Sequence, residues 1–250
     1  MKKSELNNST IIKNISTDQS VILHSIMELY NDGKPFDCDM TASTLAFYRK
    51  KKNETYEIPL PKILFDVYPQ TENTVKITPF EKLPLEDGSI NSIVVDLPFL
   101  IAPKTSKSVV ENKKGNNIMQ GRFSSWYPSK EFYENAYWWI NECFRVLDNG
   151  GICVWKMQNT VSGGLSHWFI PYSFLVAQDA GFYVIDEFIL KANARLISPS
   201  KYKKQVHARK YTSTFLVFQK DEKKSNKNNI MTILEDCKMQ NLEHKIWEIK

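Results

Sequence analysis

The sequence predicts an α/β fold: a mostly parallel sheet of seven strands, helices on both faces, and a C-terminal antiparallel strand pair. Three observations carry this. Short apolar runs alternate with helical patterns along most of the chain. Residues 92–96 (Ser-Ile-Val-Val-Asp) are apolar towards both faces, as a central parallel strand must be. The last two strands, 182–190 and 213–219, are joined by a loop alone, which suits antiparallel neighbours.

Residues 1–17 read as a polar, frayed tail. Val21, Ile22, Ile26, Leu29 and Tyr30 recur at helical spacing over 18–31, and Asp32-Gly33 ends that run. A short strand is expected at 35–37, a helix at 41–50 and a polar loop at 50–57. Strands follow at 62–67 and 75–78, then a turn-like segment at 83–89 and the apolar strand at 92–96. Residues 103–128 show no periodicity and read as a long loop. The clearest helix is 129–147, with Phe132, Ala136, Trp139, Ile140, Cys143 and Leu147 on one face and Asn149-Gly150-Gly151 closing it. A strand at 152–157, a helix at 168–180 and the final strand pair complete the main domain, residues 18–220. A polar linker (221–229) and a helix (230–249) form the extension. Ligands of such sheets bind beyond the carboxyl ends of the strands. The expected ends carry Asp37, Asp66, Thr78 and Asp96.

The chain has 250 residues, 42% hydrophobic and 24% charged, with a net charge of +5. That composition excludes wholesale disorder, a collagen-like repeat and a disulfide-rich miniprotein. Cys38, Cys143, Cys153 and Cys237 form no Cys-x-x-Cys pair and read as reduced, mostly buried thiols. The N-terminus has no apolar stretch like a signal peptide, and no run is long enough for a membrane span. The expectation is a cytoplasmic protein without membrane contact. No His/Cys/Asp cluster has metal-ligand spacing, so no metal is expected. His24 reads as packing and His167 as structural.

The sharpest chemical signal is Asp96-Leu97-Pro98-Phe99, directly after the apolar strand. It resembles the Asp-Pro-Pro-Phe/Tyr motif of amino-methyltransferases that modify exocyclic amines of nucleic-acid bases. The amine lone pair is delocalised into the base and is a poor nucleophile. A carboxylate (Asp96) and a backbone carbonyl (Leu97) accepting its two N–H bonds would draw the nitrogen towards tetrahedral geometry. Pro98 would fix the turn, and Phe99 would stack on a base flipped out of its helix. Leu97 departs from the usual proline.

The wider resemblance is to class I S-adenosylmethionine-dependent methyltransferases, with their Rossmann-like fold, and more closely to phage- and prophage-type DNA adenine methyltransferases. It covers roughly residues 18–220. Asp37-Cys38-Asp39-Met40-Thr41 takes the place of the first cofactor loop. Phe65-Asp66-Val67-Tyr68-Pro69 matches the strand end whose acid would bind the ribose hydroxyls. Thr78-Pro79-Phe80 would lie beside the adenine of the cofactor. Leu83 to Ile90, Arg145 to Gly151, Trp155-Lys156-Met157-Gln158-Asn159 with Ser162-Gly163-Gly164, and His207-Ala208-Arg209-Lys210-Tyr211 resemble further family segments. The resemblance implies S-adenosylmethionine held by Asp37, Thr41, Asp66, Thr78 and Phe80. Residues 37–49 contain no glycine, which that cofactor loop normally has.

The net charge hides a division. Residues 103–128 hold Lys104, Lys107, Lys113, Lys114 and Arg122 against Glu111, a net of +4. Residues 191–211, with Lys203, Lys204, His207, Arg209 and Lys210, carry +7 and no acid, leaving the rest of the chain at −6. Both loops are expected near the catalytic edge, with Trp126, Tyr127, Tyr202 and Tyr211 as stacking surfaces. They are the expected DNA contacts. The sequence therefore points to methyl transfer to the exocyclic amine of adenine in DNA, in a bacterial or phage-infected cell. An Asp heading the motif favours adenine over cytosine by family resemblance. Two alternatives stand beside it: a methyltransferase acting on RNA or a protein amide, and a non-catalytic DNA-binding or assembly protein on a degenerate methyltransferase fold. The terminal helix could pack on the body or pair with a second copy as a homodimer.

Overall fold

The computed structural model describes residues 11–101, 125–126, 129–162, 164–193, 205–227 and 229–236. Its main sheet contains β1 (Ile15–Ser16), β2 (Cys38–Asp39), β3 (Ile63–Asp66), β4 (Val75–Lys76), β5 (Ile90–Asp96), β8 (Leu147–Met157), β11 (Tyr183–Lys191) and β12 (Thr212–Gln219). Their order is β1-β11-β12-β8-β5-β2-β3-β4. All pairings are parallel except β11 with β12 and β12 with β8. The expected closing antiparallel pair is there. The strand count among the described residues is eight rather than seven, because part of the expected frayed tail joins the sheet. Ile15 and Ser16 pair with Ile189 and Leu190, and the Ile189 N–H donates to the Asn14 carbonyl at 2.7 Å. An apolar strand edge at β11 is thereby covered.

The three longest helices among the described residues flank the sheet: α1 (Gln19–Tyr30), α2 (Ser129–Val146) and α3 (Phe169–Asp179). Strand alternation explains why helices are needed on both sides. On β8, Cys153, Trp155 and Met157 face one core with α2 and α3, while Ile152 and Val154 face the other with α1. On β12, Leu216 and Phe218 face the first, and Phe215 and Val217 the second. Asp18 caps α1 by accepting the Ser20 N–H at 2.8 Å. His24 stacks on Tyr56 with ring centroids 3.9 Å apart, so it packs the 50–57 loop as expected.

Several local expectations are corrected. The strand expected at 35–37 lies further on, at Cys38–Asp39. The helix expected at 41–50 is a series of turns instead. The backbone is left-handed at Ser43 (φ 46°) and Leu45 (φ 60°), which no helix accommodates. A hairpin of β9 (Thr160–Ser162) and β10 (Leu165–His167) precedes α3. It packs on β6 (Leu100–Ile101), where the Ser162 hydroxyl donates to the Ile101 carbonyl. Strand β6 pairs in parallel with β7 (Ser125–Trp126). The expected linker holds a short helix, α4 (Glu222–Lys227). A separate helical segment covers 230–236, where Ile230, Ile233 and Leu234 are exposed. The rest of the expected terminal helix lies outside the described residues. No helix among the described residues is long and apolar enough to cross a membrane.

The segment 83–89 is tied to the end of α2. Glu142 accepts the Leu83 N–H at 2.6 Å, and Arg145 donates to the Leu85 carbonyl at 2.8 Å and to Asp87. This clamp delivers the chain into β5 and so fixes where Asp96 emerges.

Candidate active site

Strands β2, β3 and β5 run in parallel and end at one edge of the sheet. Asp96 closes β5, and its register partner on β8 is Lys156. Period-two alternation puts both side chains on the α1 face, beyond Val94 and Val154. The Lys156 ammonium donates to Asp96 Oδ2 at 2.8 Å. The carboxylate keeps 26% of its surface exposed, and Lys156 keeps 13%. The Lys156 Nζ also lies 4.8 Å from the Phe47 ring centre and 5.7 Å from that of Phe215.

Thr41 connects this pair to β2. Its hydroxyl accepts the Asp96 N–H at 2.7 Å and donates to Asp39 Oδ1 at 3.2 Å. Asp39 also accepts the Thr41 N–H and the Tyr48 hydroxyl, each at 2.7 Å. Asp39 is fully enclosed, and burial pushes its carboxyl up to about 6, against the lowering effect of these hydrogen bonds. Burial likewise pushes the Tyr48 hydroxyl well above its ordinary value. The result is a continuous chain of contacts, Tyr48–Asp39–Thr41–Asp96–Lys156, across three strand ends.

The structure places the other expected residues unevenly. Asp66 ends β3 and faces the loop after β2. Its two oxygens accept the Ser43 N–H at 2.8 Å and the Tyr68 N–H at 2.7 Å. Asp37 is corrected: it precedes β2, and its Oδ2 accepts the Asn91 and Ser92 N–H groups at the amino end of β5, at 2.8 and 3.0 Å. It braces the far end of the strands, and Asp39 stands at the edge instead. Leu97 buries its side chain in the main core, and Phe99 packs partly against that core. Thr78 is exposed after β4. Phe80 is exposed with φ 68°, and its ring sits 5.9 Å from Trp138 of α2. It lines an open cleft of about 640 Å³ with Tyr133, Tyr137 and Tyr172, away from the Asp96 network.

Of the expected DNA contacts, Lys104, Lys107, Lys113, Lys114, Arg122, Lys203 and Lys204 lie outside the described residues. His207 and Arg209 are exposed, and Lys210 lies 5.5 Å over the ring of Trp168, itself 57% exposed. Described residues flanking the two basic segments lie at the same edge. The first begins after β6, just past Asp96. The second re-enters the sheet at Thr212, and Thr214 is the partner of Met157 at the carboxyl end of β8.

Asp39 and Lys156 fall in segments that carry the family resemblance, but sequence reasoning assigned no role to either of them or to Tyr48. Asp39 lies in a two-residue strand whose residues are both buried, so no alternation in the sequence marks the end of β2. No local signal pairs Lys156 with Asp96, since only the β5–β8 register brings the two together. No group of three His, Cys, Asp or Glu among the described residues could hold a metal.

A mixed sheet wrapped by helices, with an acid-headed turn at the carboxyl edge of its central strand, defines a doubly wound α/β protein with a site at that edge. Within that class, the profile of the N6/N4 DNA methylase family matches residues 90–250, and the chain belongs to that family. No curated protein matches it. Among solved structures, it resembles TTHA0409 of Thermus thermophilus, a suggested DNA modification methylase complexed with S-adenosylmethionine. Identity is 16%, over 55% of this chain and 50% of that one, with a TM-score of 0.36. It also resembles the cytosine-N4-specific PvuII DNA methyltransferase, at 17% identity over 56% and 45% of the two chains, TM-score 0.36. A suggested sarcosine dimethylglycine methyltransferase from Galdieria sulphuraria aligns over 81% and 85%, at 12% identity and TM-score 0.44. The match spans about half the length of the first two.

Proposed function

We propose that the protein transfers a methyl group from S-adenosylmethionine to the exocyclic amine of adenine in DNA. The observation that carries this reading is the position of Asp96: a partly exposed carboxylate at the end of the central strand, heading Leu-Pro-Phe, with its backbone N–H fixed by Thr41. The described residues also fit the cofactor. Asp66 uses one backbone N–H on each oxygen, and a carboxylate has about four acceptor sites, so capacity remains for two ribose hydroxyls. The glycine-free loop reaches left-handed conformations at Ser43 and Leu45, the turns that glycine otherwise supplies.

S-adenosylmethionine brings an electrophilic methyl group on sulfonium sulfur. The chain's own part is to prepare the nucleophile. Asp96 accepts one N–H of the amine and the Leu97 carbonyl the other, which localises the lone pair on nitrogen. Asp96 then takes the proton that the methylated amine releases. Pro98 holds the turn, and Phe99 offers its exposed edge to the flipped base. The basic segments 103–128 and 191–211 hold the phosphates. With cellular DNA as its substrate, the protein works in the cytoplasm of a bacterial or phage-infected cell.

Adenine is preferred to cytosine because Asp, rather than Ser, heads the motif. Unmethylated genomic DNA should be incubated with protein and cofactor, digested to nucleosides and resolved by mass spectrometry. N6-methyldeoxyadenosine is expected. N4-methyldeoxycytidine alone would refute the adenine assignment, and no methylated nucleoside would refute methyl transfer to DNA.

A further inference from the structure

We infer that Lys156 is a positioning residue for Asp96, occupying one carboxylate oxygen so that the other is presented to the target amine. The inference rests on the methyl-transfer reading above. A lone carboxylate at a strand end rotates about its last bond and offers either oxygen in many directions. Here Oδ2 is taken by the Lys156 ammonium at 2.8 Å, which fixes the carboxylate plane. The ammonium is itself fixed. It projects from the neighbouring strand in direct register, is largely shielded from solvent, and has Phe47 and Phe215 against it. Phe47 belongs to the loop following β2, and Phe215 to β12. Lys156 therefore ties the loop after β2, the catalytic strand and the closing strand to one oxygen atom.

A lysine suits this task in a way that arginine does not. An ammonium is a point donor and can engage one oxygen, leaving Oδ1 to accept an N–H. A guanidinium fork engages both oxygens of a carboxylate at once. If the ion pair served only to neutralise Asp96 or to brace the strands, arginine would serve equally well. If it sets which oxygen is free, arginine fails.

The test compares the unaltered protein, Lys156→Met and Lys156→Arg in steady-state methyl transfer to unmethylated genomic DNA, with melting temperature recorded for each. Misplacing a catalytic group by about an ångström costs roughly 100-fold, so both variants should lose roughly 10- to 100-fold in kcat. KM for S-adenosylmethionine should stay within about 3-fold, because the loss falls on the transition state. Full activity in Lys156→Met overturns the inference, as does restoration by Lys156→Arg of what Lys156→Met loses. Melting of both variants before assay temperature overturns it too, by making the lysine a structural brace. An unaltered protein that methylates no DNA removes the reading above and this role with it. An active one with indifferent variants removes only the role of Lys156.

Discussion

Replacing Asp39 with Asn tests whether a buried carboxyl with a raised pKa sits behind the proposed catalytic turn. Asp39 is enclosed, and its pKa is raised from 3.8 to about 6, chiefly by burial. Raising a carboxyl by that amount corresponds to about 3 kcal/mol between its protonation states. The sign follows from proton counting. Between about pH 4 and 6 the folded protein holds a proton on Asp39 that the unfolded chain has released. Stability from this group is therefore complete below about pH 4 and is lost as pH rises through about 6. Asparagine keeps the shape and the acceptor for the Thr41 N–H but does not titrate. Subtracting the melting temperature of Asp39→Asn from that of the unaltered protein cancels the other titrating groups. For a domain of this size 1 kcal/mol moves the melting temperature by about 2–4 °C. The difference should thus fall by about 6–12 °C between about pH 4 and pH 7. Calorimetric scans across that range measure it. Parallel curves would show that Asp39 titrates as an exposed acid, and the network built on it would be wrong.

Thr41→Val removes the hydroxyl that accepts the Asp96 N–H at 2.7 Å. It should lower stability by about 1–3 kcal/mol in urea titration and lower methyl transfer as well; an unchanged rate would detach Thr41 from the site. Gly151→Ala would place a methyl 2.9 Å from the carbonyl oxygens of both Asn91 and Asp148. Neither backbone atom can yield cheaply, so a loss of about 1–3 kcal/mol is expected in the same assay, and neutrality would contradict the β5–β8 packing. Duplex DNA affinity should fall steeply between low and moderate salt, with a log–log slope of about −0.9 for each phosphate neutralised. A flat response in a fluorescence-anisotropy titration would refute phosphate contacts by the two basic segments.

The central strand and its acid were readable from sequence because both signals are local. An apolar run ending in Asp-Leu-Pro-Phe needs no knowledge of distant residues, and the structure ends β5 at Asp96 as expected. The first cofactor-side acid was misplaced for an equally physical reason. Strand β2 has only two residues, too short for alternation to fix its end, and Asp37 and Asp39 lie at its opposite ends. The segment read as a helix over 41–50, which forms turns instead, shows the limit of periodicity. Leu45, Phe47 and Tyr48 have near-helical spacing, but tertiary packing on Phe215 and Asp39, not helical geometry, orders them. The hairpin at Thr160–His167 did carry a local signal, two glycines between short runs, which the resemblance absorbed as a family segment instead. Lys156 could not be found this way. It lies 60 residues from Asp96, and only strand order brings the two together.

In the proposed reaction Asp96 is the group that prepares the amine. Transfer of labelled methyl from S-adenosylmethionine to unmethylated genomic DNA, by the unaltered protein and by Asp96→Ala, tests this directly. Calorimetric titration with the cofactor confirms that both proteins bind it. The prediction is transfer by the unaltered protein and loss of at least about 100-fold in the variant, with cofactor affinity retained. Methylation that survives Asp96→Ala would contradict the assignment of the catalytic carboxylate.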